Sequence, residues 1–176
     1  ATHLHLMLTH FPIIGTILGV GILIYGQFSK KNEIKKVAFL IFIIMALLTI
    51  PVFLTGDGAE ETVEHIPGVS EKLIERHAEF AENAIIFMGL LGLLSLVSFI
   101  AIVRKLSIEK IVAIITLSVS LVTCAVFVQV GNLGGQIRHS EIQPKDQNNY
   151  DNLEILKGSS KETLRKNKSD HDDDDD

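Results

Sequence analysis

The sequence predicts an all-α fold, an integral membrane four-helix bundle with a helical segment on its outer side and a flexible polar C-terminal tail. Three observations predict it. Of the 176 residues 47% are hydrophobic, and the mean hydropathy is +0.35, too apolar for a water-soluble domain that also carries a polar tail. Four apolar runs, at about 11–28, 36–55, 81–103 and 108–131, each approach or exceed the ~20 residues that cross ~30 Å of hydrocarbon. None alternates as a barrel strand would, so each is expected to be a helix, whose backbone groups bond internally. The expected division is a transmembrane domain over 1–142 and a largely disordered tail over 143–176.

Helix 1 is expected to begin near His10, where Pro12 suits a first turn because its missing N–H would have no partner there. A start near Thr2 would put Pro12 inside the helix and kink it. Gly15 and Gly19 form a Gly-x-x-x-Gly step with Gly26 on the same side, a pattern for close helix approach. The first run is too long and too unlike a cleavable signal segment to be one.

Helix 2, from Lys36 to Thr55, has no ionisable residue in its interior and reads as a structural wall, with Pro51 near its end. After it, Gly56 and Gly58 mark an exit, Ala59 to His65 suggests a short helix, and Ile66-Pro67-Gly68 breaks it. Ser70 can then cap a helix that runs through His77 into the third span. Below His77, Ala81, Ala84, Met88 and Gly92 share a face, which suits either close helix packing or room for a flat group. Helix 4 ends in Gln129-Val-Gly-Asn-Leu-Gly-Gly-Gln-Ile-Arg-His139, whose Gly131, Gly134 and Gly135 allow close approach or unusual turns. In the tail, Tyr150 to Leu156 suits a brief docked element, and His171 lies in an aspartate run.

The connectors Ser29 to Lys36 and Arg104 to Lys110 are short and basic. By the positive-inside rule both face the cytoplasm. The N-terminus, the 55–80 segment and the tail then face outward. This topology puts His3, His5, His10, His65, His77, His139 and His171, all seven histidines, on one side of the membrane. The net charge of −5 owes much to the run Asp170–Asp176 and implies no nucleic-acid partner. The only cysteine, Cys124, lies inside the fourth apolar run, so neither a disulfide framework nor a Cys-x-x-Cys-His haem attachment is present.

Ionisable groups at membrane depth are functional candidates, and neutral imidazole is the commonest metal ligand. A di-iron bundle needs Glu-x-x-His pairs, but Thr62 and Ile74 stand three residues before His65 and His77. The His-Glu-x-x-His of a zinc protease is also missing. Bis-histidine haem b needs only two axial imidazoles on opposed elements. The expected first pair is His10 with His77. His65 and His139, with His3 or His5, would serve a second haem, and Arg138 would meet a haem propionate. Copper or zinc is the competing cofactor, with His3, His5 and His10 completed by Glu61, Glu64 or Met7. A cofactor-free structural subunit is the third reading. No nucleophilic catalytic arrangement is evident, so an electron-transfer subunit is expected rather than a stand-alone enzyme. It would pass electrons between a quinol pool or membrane complex and an extracytoplasmic redox protein.

Four blocks, His3-Leu-His-Leu-Met-Leu-Thr-His10-Phe-Pro, Gly56 through Glu64-His65-Ile-Pro-Gly-Val-Ser-Glu71, Ile74-Glu-Arg-His77 and Asn132-Leu-Gly-Gly-Gln-Ile-Arg-His139, carry a further signal. Together they resemble a family of small bacterial four-helix membrane proteins known chiefly as a domain of unknown function. The resemblance covers about residues 3–142. Thr9-His10-Phe11-Pro12 departs mildly from the Asn-His-Leu-Pro often found in that family but keeps the histidine. The resemblance implies a protein of the bacterial cytoplasmic membrane whose blocks share a site, and it supplies no activity.

Overall fold

The computed structural model describes residues 2–64 and 69–139. Among them it holds five helices: α1 (Thr2–Phe28), α2 (Asn32–Leu54), α3 (Gly56–Glu64), α4 (Glu71–Val103) and α5 (Glu109–Arg138). All but the short α3 are long and apolar enough to cross a membrane. The chain is an all-α membrane bundle, with α1, α2, α4 and α5 its four walls.

The helices outrun the apolar stretches that announce them. α1 starts at Thr2, so Pro12 lies inside it and is buried. α2 starts at Asn32, ahead of the expected Lys36, and α5 carries Gly131, Gly134 and Gly135 as helical residues rather than as turns. α4 begins at Glu71 behind Ser70, as expected, although the Ser70 side chain makes no capping bond. At 33 residues α4 is about 50 Å long by its 1.5 Å rise per residue, well over the ~30 Å of hydrocarbon. Its first turns, with Glu71, Lys72, Glu75 and Arg76 exposed, are the part too polar for the lipid interior.

The inward faces follow helical spacing. On α1 they are Pro12, Thr16, Gly19, Leu23 and Gly26; on α4, Ala84, Met88, Leu91, Ser95, Ser98 and Ile102. Large apolar side chains such as Leu18, Leu47, Leu93 and Ile114 point outward, where lipid takes the place of water. The interior is held by close contact and small hydroxyls. A Cβ on Gly19 would stand 2.5 Å from Phe42 Cε1, and one on Gly92 would stand 2.6 Å from the Ala46 Cβ, so these glycines set the α1–α2 and α2–α4 distances. Gly15 faces Met45 in the same way, as the Gly-x-x-x-Gly pattern predicts. Between α4 and α5, Ser98 Oγ and Thr116 Oγ1 share a hydrogen bond of 2.8 Å.

The bundle forms one compact unit through Ile137, and a second unit begins at Arg138. His65, the Ile66–Gly68 break, the tail from 143 onward and His171 lie outside the described residues.

Candidate functional site

Sequential spans alternate in direction, so the start of α1, the end of α2, the start of α4 and the end of α5 meet at one end of the bundle. His5 and His77 are at that end. Both extend an inward helical face: His5 lies seven residues before Pro12, and His77 lies seven before Ala84.

The last turn of α2 leaves carbonyls without intrahelical partners. His5 Nδ1 donates to the Val52 oxygen at 3.0 Å, and Thr55 Oγ1 lies 3.4 Å from the same nitrogen while donating to Pro51 and Val52 oxygens at 2.8 and 3.0 Å. His77 Nδ1 donates to the Val130 oxygen of α5 at 3.1 Å. That carbonyl is accessible because residue 134, one turn farther on, is glycine: a Cβ there would stand 3.2 Å from His77 Cε1. A carbonyl oxygen only accepts, so Nδ1 carries the proton in both rings, and in the neutral form Nε2 holds the lone pair. This is the tautomer of a histidine that ligates through Nε2 and is oriented through its other nitrogen.

His10 is placed differently. Five residues from His5, it is about 140° around the helix. It is exposed, with its Nδ1 donating to the Leu6 oxygen of its own helix at 3.0 Å. His10 therefore lies off the inward face of α1 that His5 continues. His3 is also exposed and about 200° around α1 from His5. Hence the three-nitrogen set expected from His3, His5 and His10 for copper or zinc does not converge. Met7 and Glu61 are exposed, and among the described residues no three His, Cys, Asp or Glu side chains form a metal-binding group. His139 is exposed and belongs to the second unit, and Arg138 ends α5. Their expected partnership with His65 involves residues outside those described.

The strip below His77 serves helix packing. Met88 Sδ receives the Thr16 hydroxyl at 3.8 Å, and Gly92 lies against Ala46, so the two positions of the strip farthest from His77 are taken by helix packing.

Sequence reasoning missed that His5 is the histidine on the inward face of α1, and it missed the roles of Val52, Val130 and Gly134. The signal was available in helical phase. Counting back by heptads from Gly26 through Gly19 and Pro12 reaches His5, whereas His10 falls in phase with exposed Ile14, Ile17 and Tyr25.

Fold and site together define a class: a four-helix membrane protein with an inward imidazole pair at one end. No family model, curated protein or solved structure matches the chain.

Proposed function

We propose that this is a membrane b-type cytochrome whose first axial pair is His5 and His77. The observation that carries the reading is that pair: two imidazoles on different helices, each fixed through Nδ1 by a backbone carbonyl and each keeping Nε2 for a ligand. A tetrahedral zinc site needs three or four protein ligands, whereas haem brings its own four equatorial nitrogens and needs two. With no three-residue metal group among the described residues, the two-ligand requirement is the one this site meets. Haem, when bound, supplies one-electron transfer. The chain's part would be to hold two imidazoles, each oriented through Nδ1, at the end of the bundle.

The positive-inside reading of the two lysine-rich connectors puts this end on the extracytoplasmic side of a bacterial cytoplasmic membrane. Electrons would pass between a quinol pool or membrane complex and an extracytoplasmic redox protein. His65, His139 and His3 remain candidates for a second haem, with Arg138 for a propionate.

The test is an absorption spectrum of detergent-purified protein from haem-replete cells, oxidised and then dithionite-reduced, with metal content measured on the same sample. A Soret band that shifts on reduction, with sharp α and β bands, is expected from the native chain and from His10→Ala, and is lost in His5→Ala and His77→Ala. A colourless native protein would sink the reading; stoichiometric copper or zinc in that sample would favour an ion-binding protein, and no metal a structural subunit.

A further inference from the structure

We propose that the end of the bundle remote from His5 and His77 holds a binding site for the phosphate headgroup of an anionic phospholipid. A cavity of about 490 Å³ lies there, lined by Asn32, Lys105, Leu106, Ser107, Glu109 and Lys110. It joins the α1–α2 turn to the α4–α5 turn. Because four spans end here, the cavity lies at the level where headgroups begin.

Its lining suits a phosphodiester that carries acyl chains. The lining carries two lysines and one glutamate, and Ser107 and Asn32 are residues with neutral donors. Lys30, Lys31 and Arg104 are exposed in the same two turns, while Lys36 is taken up by Glu33 at 2.7 Å. Asn32 opens α2, whose Lys31 cap position supplies no side-chain hydrogen bond to the first-turn N–H groups. Beside the polar lining, Leu106, Ile108 and Ile111 are exposed and apolar, which suits acyl chains and not a free anion.

The backbone at Lys105 is left-handed, as it is at Lys30 in the other turn. Its φ is 53°, in the left-handed region, at the position just past a helix end that glycine usually fills. A lysine there costs backbone strain that glycine would avoid. Attraction to the α4 C-terminal dipole offsets part of that cost, and an anion in the cavity gives the ammonium a second partner. A basic pocket between spans at the cytoplasmic headgroup layer is a physically expected place for such a lipid.

The experiment uses the full chain in a neutral detergent, titrated with dioleoyl phosphatidylglycerol, dioleoyl phosphatidylcholine or inorganic phosphate while thermal unfolding is followed. Only phosphatidylglycerol should raise the midpoint. Lys105→Gln and Lys110→Gln should each weaken its apparent affinity about fivefold, and the pair roughly twentyfold. Lys31→Gln, at the same end but outside the lining, should change it less than twofold. Lys105→Gly removes the charge while relieving the backbone, so it should fold at least as well and still lose the response. Equal shifts with phosphatidylcholine, a full shift with inorganic phosphate, or an equal loss in Lys31→Gln would each overturn the proposal. Haem content does not enter the readout, so this result and the cytochrome test stand apart.

Discussion

The two ends of the bundle are built from the same four helices and carry opposite chemistry. At one end the carbonyl of Val52, in the last turn of α2, and that of Val130, two turns before α5 ends, receive the N–H groups of His5 and His77. At the other end α1 and α4 finish in lysine turns, where Lys30 and Lys105 take left-handed backbone angles of 54° and 53°. Imidazole packs inward because one of its nitrogens can be satisfied by a carbonyl and the ring can stay neutral. Ammonium sheds its hydration less cheaply, and Lys30, Lys31, Lys105 and Lys110 stay exposed, while Lys35 is buried against Gly26. The difference shows how an up-and-down bundle turns helix polarity into two distinct surfaces.

Substitution at Gly92 should break both ends at once. Gly92→Leu drives a side chain into Ala46, and overpacking of this kind costs about 1–3 kcal/mol. Thermal unfolding in detergent should show that loss, together with weaker haem retention and weaker lipid response. Next in size, His77→Ala should remove the low-spin spectrum while changing the unfolding midpoint little, because Val130 lies within helical α5. The measurement is a reduced-minus-oxidised spectrum paired with a melt, and an unfolded variant would argue for a structural histidine.

A finer test is Gly134→Ala. Its Cβ at 3.2 Å from His77 Cε1 requires the ring to move by a few tenths of an ångström. Alanine also improves helix propensity by up to about 1 kcal/mol. The expected outcome is a fold as stable as the native one with a shifted α band or midpoint potential, read by redox titration. The smallest effect is expected from Lys30→Gly, which relieves a left-handed lysine outside the cavity lining. It should raise stability by at most about 1 kcal/mol and leave the histidine end unchanged, as a calorimetric scan would show.

The architecture was legible because membrane spans announce themselves by length and apolarity, and because Gly15 and Gly19 fall on one face where α2 approaches. The long start of α4 through His77 was legible too, from Ser70 and the charged first turns. The ring geometry was not. Beginning α1 near His10 hides the inward phase that His5 continues, and proline at position 12 invites that error because it suits a first turn as well as a buried interior site. Gly134 was visible as a glycine, but its task of uncovering the Val130 carbonyl depends on which residue faces it across the bundle. That partner is set by tertiary packing and not by local pattern.

Pro12 has a mechanical consequence. Lacking an N–H, it leaves the Leu8 carbonyl without its helical donor and loosens α1 at that point. The ten residues before it, Thr2 to Phe11, form a short arm whose inward bond across the bundle is the one from His5 to Val52. Pro12 thus leaves one gap in the ladder of α1, and His5, seven residues earlier, ties that stretch to α2. Amide exchange in Leu4 to Thr9, compared between the native chain and His5→Ala, would report how far that one bond holds the start of α1.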